Sequence, residues 1–256
     1  MKTAYQPKQY DSLSFLLNKV PEVTVAFWII KVLSTTVGET AADFLAADLG
    51  FGLSGTSIVM SLLLVATLGI QFFSQTYTPW KYWLTVVLVS VVGTLITDNM
   101  VDNFGVTLEQ ATIGFSLALI ATFFSWYLFE KTLSIRAIDT PRREAFYWLA
   151  ILFTFALGTA AGDLTAEGLG LGYALSLGLF FGIIALVSVA QFVFKLNAIL
   201  AFWLVYILTR PLGASLGDYL SQATTEGGLG LGATQTSFIF FAIIIGLVLL
   251  LSFKRK

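Results

Sequence analysis

Apolar residues are gathered into eight long stretches of the chain, and most polar residues lie between them. Each stretch is close to the about 20 residues that a helix needs to cross the hydrocarbon of a bilayer. The predicted spans are 22–46, 56–75, 80–101, 110–129, 144–166, 173–194, 197–220 and 234–253. The pattern therefore predicts an all-α membrane protein with eight transmembrane helices.

The odd-numbered stretches share one spacing, which the even-numbered stretches lack. In each, a glycine follows a tryptophan by ten residues, and an aspartate follows the glycine by five. The four sets are Trp28, Gly38 and Asp43; Trp83, Gly93 and Asp98; Trp148, Gly158 and Asp163; and Trp203, Gly213 and Asp218. A spacing that recurs four times predicts four two-helix repeats, at roughly 22–76, 77–131, 142–196 and 197–253.

The repeats group into two halves of a single transmembrane domain, 1–256. Trp28 and Trp148 are 120 residues apart, and so are Trp83 and Trp203. We therefore expect pseudo-symmetric four-helix halves at 18–137 and 138–256. Because each repeat holds an even number of spans, all copies should share one orientation, with an axis along the bilayer normal.

Composition narrows the chemistry that the chain can perform. The chain is 57% hydrophobic and only 11% charged, whereas soluble domains are roughly a quarter charged. It has no cysteine and no histidine, which excludes disulfides, thiolate metal sites and histidine proton shuttles. The glycine-rich turns lack the Lys-Ser/Thr of a phosphate loop, so we interpret them as turns or helix caps. The polar segment 1–18 is not expected to be a signal peptide.

Basic residues predict the orientation in the membrane. Apart from Lys31 and Arg210, the lysines and arginines fall on one side of the predicted spans, and acidic residues mark the other side. The positive-inside rule then places both termini in the cytoplasm and the tryptophans near the cytoplasmic interface. The basic residues on that side are Lys2, Lys8, Lys19, Lys81, Lys131, Arg136, Arg142, Arg143, Lys195, Lys254, Arg255 and Lys256.

Residues four apart share a helix face, and this step gives each odd helix one polar stripe. The stripes are Lys31, Thr35, Glu39 and Asp43; Ser90, Thr94, Asp98 and Asp102; Thr159, Asp163 and Glu167; and Tyr206, Arg210, Asp218 and Gln222. Charged side chains are costly in lipid, so we expect the stripes to converge on one core. The four repeated glycines should let the helices approach closely.

The segment KVPEVTVAFWIIKVLSTTVGETAADFLA, Lys19–Ala46, resembles a bacterial family known only as uncharacterised membrane-anchored proteins, built from a repeat of unknown function. The resemblance covers essentially the whole chain, and the four Gly–Asp registers are its repeat. The fourth copy departs most, because Arg210 and Pro211 stand just before Gly213. The resemblance implies a multi-pass protein of the bacterial inner membrane and brings no activity with it.

The stripes predict a transporter of hard cations rather than an enzyme. Carboxylates and hydroxyls without Cys or His suit a divalent ion such as Mn²⁺ or Mg²⁺, with proton coupling. Lys31 and Arg210 cannot neutralise five acids, so charge is left for a cargo. The predicted ion or metal ligands are Glu39, Asp43, Asp98, Asp163 and Asp218. The predicted supporting groups are Lys31, Thr35, Ser90, Thr94, Asp102, Thr159, Glu167, Tyr206 and Arg210.

Three alternatives stay open at the level of sequence. The core could hold a small organic or anionic substrate gripped by Arg210 and Lys31. It could be an intramembrane aspartyl enzyme, since glycine precedes Asp163 and Asp218. It could also be purely structural, with the cations locked to carboxylates. No resident cofactor beyond a bound hard metal ion is expected. The expected partners are the lipid bilayer and the cargo, without nucleic acid, and a homo-oligomer is left open.

Overall fold

The computed structural model describes residues 18–254 and shows eight long α-helices in that range. They are α1 (Val25–Asp43), α2 (Gly52–Phe73), α3 (Pro79–Asp98), α4 (Leu108–Glu130), α5 (Pro141–Asp163), α6 (Tyr173–Phe192), α7 (Ala198–Ser221) and α8 (Ala233–Lys254). Each is long and apolar enough to cross a membrane, which confirms the eight predicted transmembrane helices. Two segments lie outside the described residues: 1–17, which includes Lys2 and Lys8, and the last two residues, Arg255 and Lys256.

Local sequence sets where the helices begin. Pro79 and Pro141 occupy the first positions of α3 and α5, where a missing N–H costs no helical hydrogen bond. Thr107 and Gln110 form a capping box before α4, each side chain binding the other residue's backbone N–H. These caps place the helix ends within a few residues of the limits that the apolar pattern predicts.

The helices form two layers. The odd-numbered helices make a closed inner ring, in which α1 packs on α3, α3 on α5, α5 on α7 and α7 on α1. The outer helices α2, α4, α6 and α8 pack on α3, α5, α7 and α1 respectively, so that each outer helix contacts the inner helix of the next repeat. More than half of each inner span is buried, against less than a quarter of each outer span. The charged stripes therefore belong to the enclosed layer.

The four repeated glycines lie where neighbouring inner helices touch. A methyl group built on Gly38 would overlap Ser90, and one on Gly93 would lie 2.6 Å from Phe155 Cβ. In the same way Gly158 faces Arg210, and Gly213 faces Thr35. In every case the contacted residue stands three positions before the glycine of the next repeat. The inner helices approach this closely because these positions have no side chain.

Aromatic side chains fill the ring where the inner helices begin. The residue before each tryptophan is Phe or Tyr, and its ring packs on the tryptophan of the next repeat. The centroid distances are 5.6 Å for Phe27–Trp83, 5.6 Å for Tyr82–Trp148, 6.3 Å for Tyr147–Trp203 and 5.6 Å for Phe202–Trp28. We call these eight residues the aromatic collar. The other end of the inner ring, where the repeated aspartates lie, is called the cup end.

The collar corrects the expected role of the tryptophans. The sequence places them near the cytoplasmic interface, where amphipathic rings commonly face lipid headgroups, yet Trp83, Trp148 and Trp203 are buried and Trp28 is half-buried. Trp203 donates its indole N–H to the Leu133 carbonyl at 2.9 Å. Their rings pack against neighbouring aromatic side chains inside the bundle.

An ion pair lies beside the collar and ties the chain before α1 to two helices. Lys19 Nζ contacts Glu144 Oε2 at 2.7 Å and donates to the Phe72 carbonyl at 2.9 Å. Both charged residues are buried. Glu144 lies at the start of α5 and Phe72 near the end of α2, so one lysine connects segments that are far apart in sequence.

Candidate functional site

The repeated aspartates of all four repeats line one cavity at the cup end. Its volume is about 220 Å³. We call it the acidic cup. Its polar lining is Glu39, Asp43, Asp98, Asp102, Asp163, Glu167, Asp218 and Gln222. The five residues that the sequence predicts as ion ligands therefore face one shared cavity. Each inner helix contributes one aspartate, and Glu39 lies one turn deeper.

The carboxylates differ in depth within the cup. Glu39 and Asp218 are 6% and 7% exposed, Asp43, Asp98 and Asp163 are half-buried, and Asp102 and Glu167 are exposed at the mouth. Within residues 18–254, no protein group hydrogen-bonds or pairs with the side chains of the four repeated aspartates. Carboxylates that are buried or half-buried without a protein partner are costly, and such groups commonly bind a cation or a proton.

The helix geometry changes directly after three of the four aspartates. A single π-helical turn follows Asp43 (Phe44–Asp48), Asp98 (Asn99–Asn103) and Asp163 (Leu164–Gly168). The backbone N–H of Leu49, for example, donates to the carbonyl of Phe44, five residues back, at 2.9 Å. Such turns are rare and are frequent at functional sites. The apolar and polar spacing does not predict them, because it reports faces and not the width of a turn.

Arg210 pairs with Glu39, the deepest carboxylate of the acidic cup. Its guanidinium lies 2.9 Å from Glu39 Oε2 and donates to the Thr35 carbonyl at 3.0 Å. It also donates to the hydroxyls of Thr94 and, at 2.6 Å, Thr159. The side chain is fully buried. One arginine from α7 thus reaches the other three inner helices at the centre of the ring.

Lys31 lies among aromatic rings deeper in the core. Its Nζ is 4.3 Å from the ring centre of Phe155 and 4.4 Å from that of Tyr206, which are cation–π distances. The residue is fully buried, and its amine has no hydrogen-bond partner among the described residues. Lys31 therefore does not share the carboxylates with Arg210, although both were predicted to serve the same core.

The remaining predicted supporting residue, Ser90, is buried against Gly38 and not in the cup. Burial also extends beyond the predicted stripes, because the inner helices are surrounded on several sides. Ser34, Thr36, Thr40, Thr97, Thr154, Thr209 and Ser215 lie off the stripes and are all buried. The stripes identify the acidic face correctly and underestimate how much of each inner helix is enclosed.

The carboxylates of the acidic cup are too far apart to form a compact set of metal ligands. Within the described residues, no three acidic side chains come close enough together to hold a metal ion. The cup therefore suits a cation that keeps part of its water shell, as Mg²⁺ does in proteins. Full coordination would require the carboxylates to move closer together.

Comparison with known proteins gives the chain a family and leaves the site chemistry to the structure. No curated protein and no solved structure shows a significant match to it. Residues 26–77, 81–132, 146–197 and 201–256 each match the family described as Repeat of Unknown Function (DUF347). Each matched segment holds most of one inner helix, one outer helix and one Trp–Gly–Asp register. The chain belongs to this family of repeat-built proteins and carries four copies of its repeat.

Proposed function

We propose that this protein transports a hard cation across the membrane and that the acidic cup receives the ion. The observation that carries the proposal is the convergence of one aspartate from every repeat on a single cavity, together with Glu39. These carboxylates repel each other strongly in a partly buried site unless a positive charge joins them. Arg210 supplies one such charge to Glu39, whereas no salt bridge reaches the four aspartates within residues 18–254.

The proposed orientation has both termini in the cytoplasm of a bacterial cell. Lys81, Lys131, Arg142 and Lys195 flank the helices at the collar end, while Asp48 and Glu226 follow inner helices at the other end. The positive-inside rule then turns the acidic cup outward. The two cyclic sets of contacts, through the glycines and through the collar, support four repeats of one orientation and two pseudo-symmetric halves.

The cargo we favour is a divalent cation such as Mn²⁺ or Mg²⁺, with protons as the coupling ion. Oxygen ligands without nitrogen or sulfur prefer hard cations. Glu39 is the proposed proton carrier, because it lies between the acidic cup and the buried core and contacts both Arg210 and Thr94. Protonation of Glu39 would weaken its ion pair with Arg210, which contacts the other three inner helices.

The structure gives less support to the other functions. An anionic substrate would have to pass the acidic cup, and Arg210 already directs its donors to four oxygen atoms. An aspartyl enzyme needs two acids that share a proton. No hydrogen bond joins Asp163 to Asp218 within the part of the chain that the structure describes. Cation transport therefore remains the function that the geometry supports best.

Neutralising one carboxylate of the acidic cup is expected to reduce cation flux at least about tenfold. A pair of charges about 4 Å apart near a protein surface is worth about 4 kcal/mol, and a tenfold effect needs only about 1.4 kcal/mol. The test is uptake of Mn²⁺ and Mg²⁺ by proteoliposomes that contain the wild type, Asp43→Asn or Asp163→Asn. These two aspartates occupy equivalent positions in the two halves.

Asp48→Asn is the matched control, because Asp48 is exposed and contacts Thr234 instead of the acidic cup. It should transport as the wild type does. Unchanged flux in both Asp43→Asn and Asp163→Asn, with the proteins folded, would contradict the proposed function.

A further inference from the structure

The oxygen atoms around Arg210 have the composition of a cation site. The guanidinium meets a carboxylate oxygen of Glu39, two threonine hydroxyls and a backbone carbonyl. All four are oxygen atoms, and they come from three inner helices, whereas the positive charge comes from the fourth. Such mixed oxygen shells suit hard cations in proteins. Arg210 itself is fully buried at the centre of the shell.

Comparison of the repeats explains how the arginine comes to occupy the shell. The residue after each repeated glycine is Glu39, Thr94, Thr159 and Ala214 in turn. Three of these carry oxygen and form the shell, whereas Ala214 leaves its side of the layer without a polar group. Arg210 starts one turn below, at the position of Thr35 in the first repeat, and its long side chain reaches up into that layer. The guanidinium of Arg210 therefore occupies the space between Glu39, Thr94 and Thr159 that the short side chain of Ala214 leaves open.

Glu39 belongs to both the shell and the acidic cup. It lines the cup and also pairs with Arg210. One atom of the arginine is not satisfied, since Arg210 Nε has no hydrogen-bond partner among the described residues. The two Nη atoms make the contacts with the shell, and Glu39 connects the shell to the acidic cup.

We propose that this shell is a second, inner cation site and that Arg210 occupies it as a tethered cation. A cation that enters through the acidic cup must then displace Arg210 from Glu39 before it can move inward. This displacement rests on the proposed transport function, whereas the existence of the inner site does not. Glu39 would then pair alternately with Arg210 and with the incoming cation, and Arg210 would control passage from the acidic cup to the inner site.

The test is to replace the tethered cation with a free one. Arg210→Ala shortens the side chain and leaves the shell intact, so free guanidinium should bind there. The measurement is the thermal unfolding midpoint of the purified full-length protein in low-millimolar guanidinium chloride, with equal sodium chloride as the salt control. We expect a saturable rise in the midpoint for Arg210→Ala and none for the wild type, whose site is filled.

The double variant Arg210→Ala with Glu39→Gln is the matched control, because it lacks the carboxylate of the shell. It should show no rise. An equal rise in the double variant, or no rise in Arg210→Ala, would overturn the inner site. Loss of the proposed transport function in vesicles would leave this binding result unaffected, so the two failures are distinguishable.

If Arg210→Ala accumulates too poorly to purify, its abundance in membranes becomes the readout. A fluorescent fusion of the full chain is then compared in cells grown with and without guanidinium chloride. Recovery of abundance in Arg210→Ala but not in the double variant supports the inner site. The absence of any recovery contradicts it.

Discussion

Replacing Arg210 with methionine is expected to lower the free energy of unfolding by about 3–5 kcal/mol, the usual cost of removing one partner from a buried ion pair. Glu39 would be left 6% exposed without its counter-ion. Thr94 and Thr159 would also lose the donor that their hydroxyls accept from. The measurement is equilibrium or thermal unfolding of the detergent-solubilised protein. Adding Glu39→Gln to Arg210→Met should recover a large part of the loss, because no buried charge then remains.

Arg142→Met is the control for this cycle. Arg142 pairs with Glu130, but its side chain is 65% exposed. Exposed ion pairs contribute about 0–1 kcal/mol, so the variant should unfold nearly as the wild type does. If Arg210→Met were as mild as Arg142→Met, Arg210 would not be the residue that connects the four inner helices.

Replacing Lys19 with methionine is the second change expected to have a large effect. It removes the counter-ion of Glu144, which is 1% exposed, and we expect a loss of about 3–5 kcal/mol for the same physical reason. The Phe72 carbonyl loses a donor as well. The double variant Lys19→Met with Glu144→Gln should be markedly more stable than Lys19→Met alone, by the same unfolding measurement.

Lys131→Met is the control at the same end of the bundle. Lys131 is exposed and has no ion pair in the described part of the chain. It should change stability by less than about 0.5 kcal/mol, as surface substitutions usually do. Equal stability of Lys19→Met and Lys131→Met would mean that the segment before α1 is not fastened to α2 and α5 by this ion pair.

Much of the architecture could be predicted from the sequence, because a bilayer imposes strong rules on length and polarity. The eight spans follow from apolar stretches of sufficient length, and their observed ends differ by a few residues at most places. The four repeats follow from a Trp–Gly–Asp spacing that recurs four times. The same spacing identified Asp43, Asp98, Asp163 and Asp218, and steps of four residues from them gave the acidic face of each inner helix.

Other features could not be predicted, each for a physical reason. A four-residue step gives the face of a side chain but not how far a long one reaches, so the guanidinium of Arg210 was not placed in the layer of Thr94 and Thr159. A tryptophan is equally suited to a lipid interface and to a packed core, so the sequence did not show that the four tryptophans pack inside the bundle. Lys19 and Glu144 are 125 residues apart, and no local pattern connects them.

The central claim is that the four repeats bring their aspartates to one shared cavity, and intramolecular cross-linking tests it most directly. The chain has no cysteine of its own, so a thiol reagent can join only the introduced cysteines. Four paired variants replace neighbouring aspartates with cysteine, and a short bifunctional thiol reagent is then applied in membranes. The pairs are Asp43 with Asp98, Asp98 with Asp163, Asp163 with Asp218, and Asp218 with Asp43.

The control pair is Ile58→Cys with Leu175→Cys. These exposed residues lie on outer helices α2 and α6, which pack on different inner helices. We expect all four aspartate pairs to cross-link within one molecule and the control pair not to cross-link. Cross-linking of none of the four pairs, in protein that is folded and inserted, would contradict a shared acidic cup.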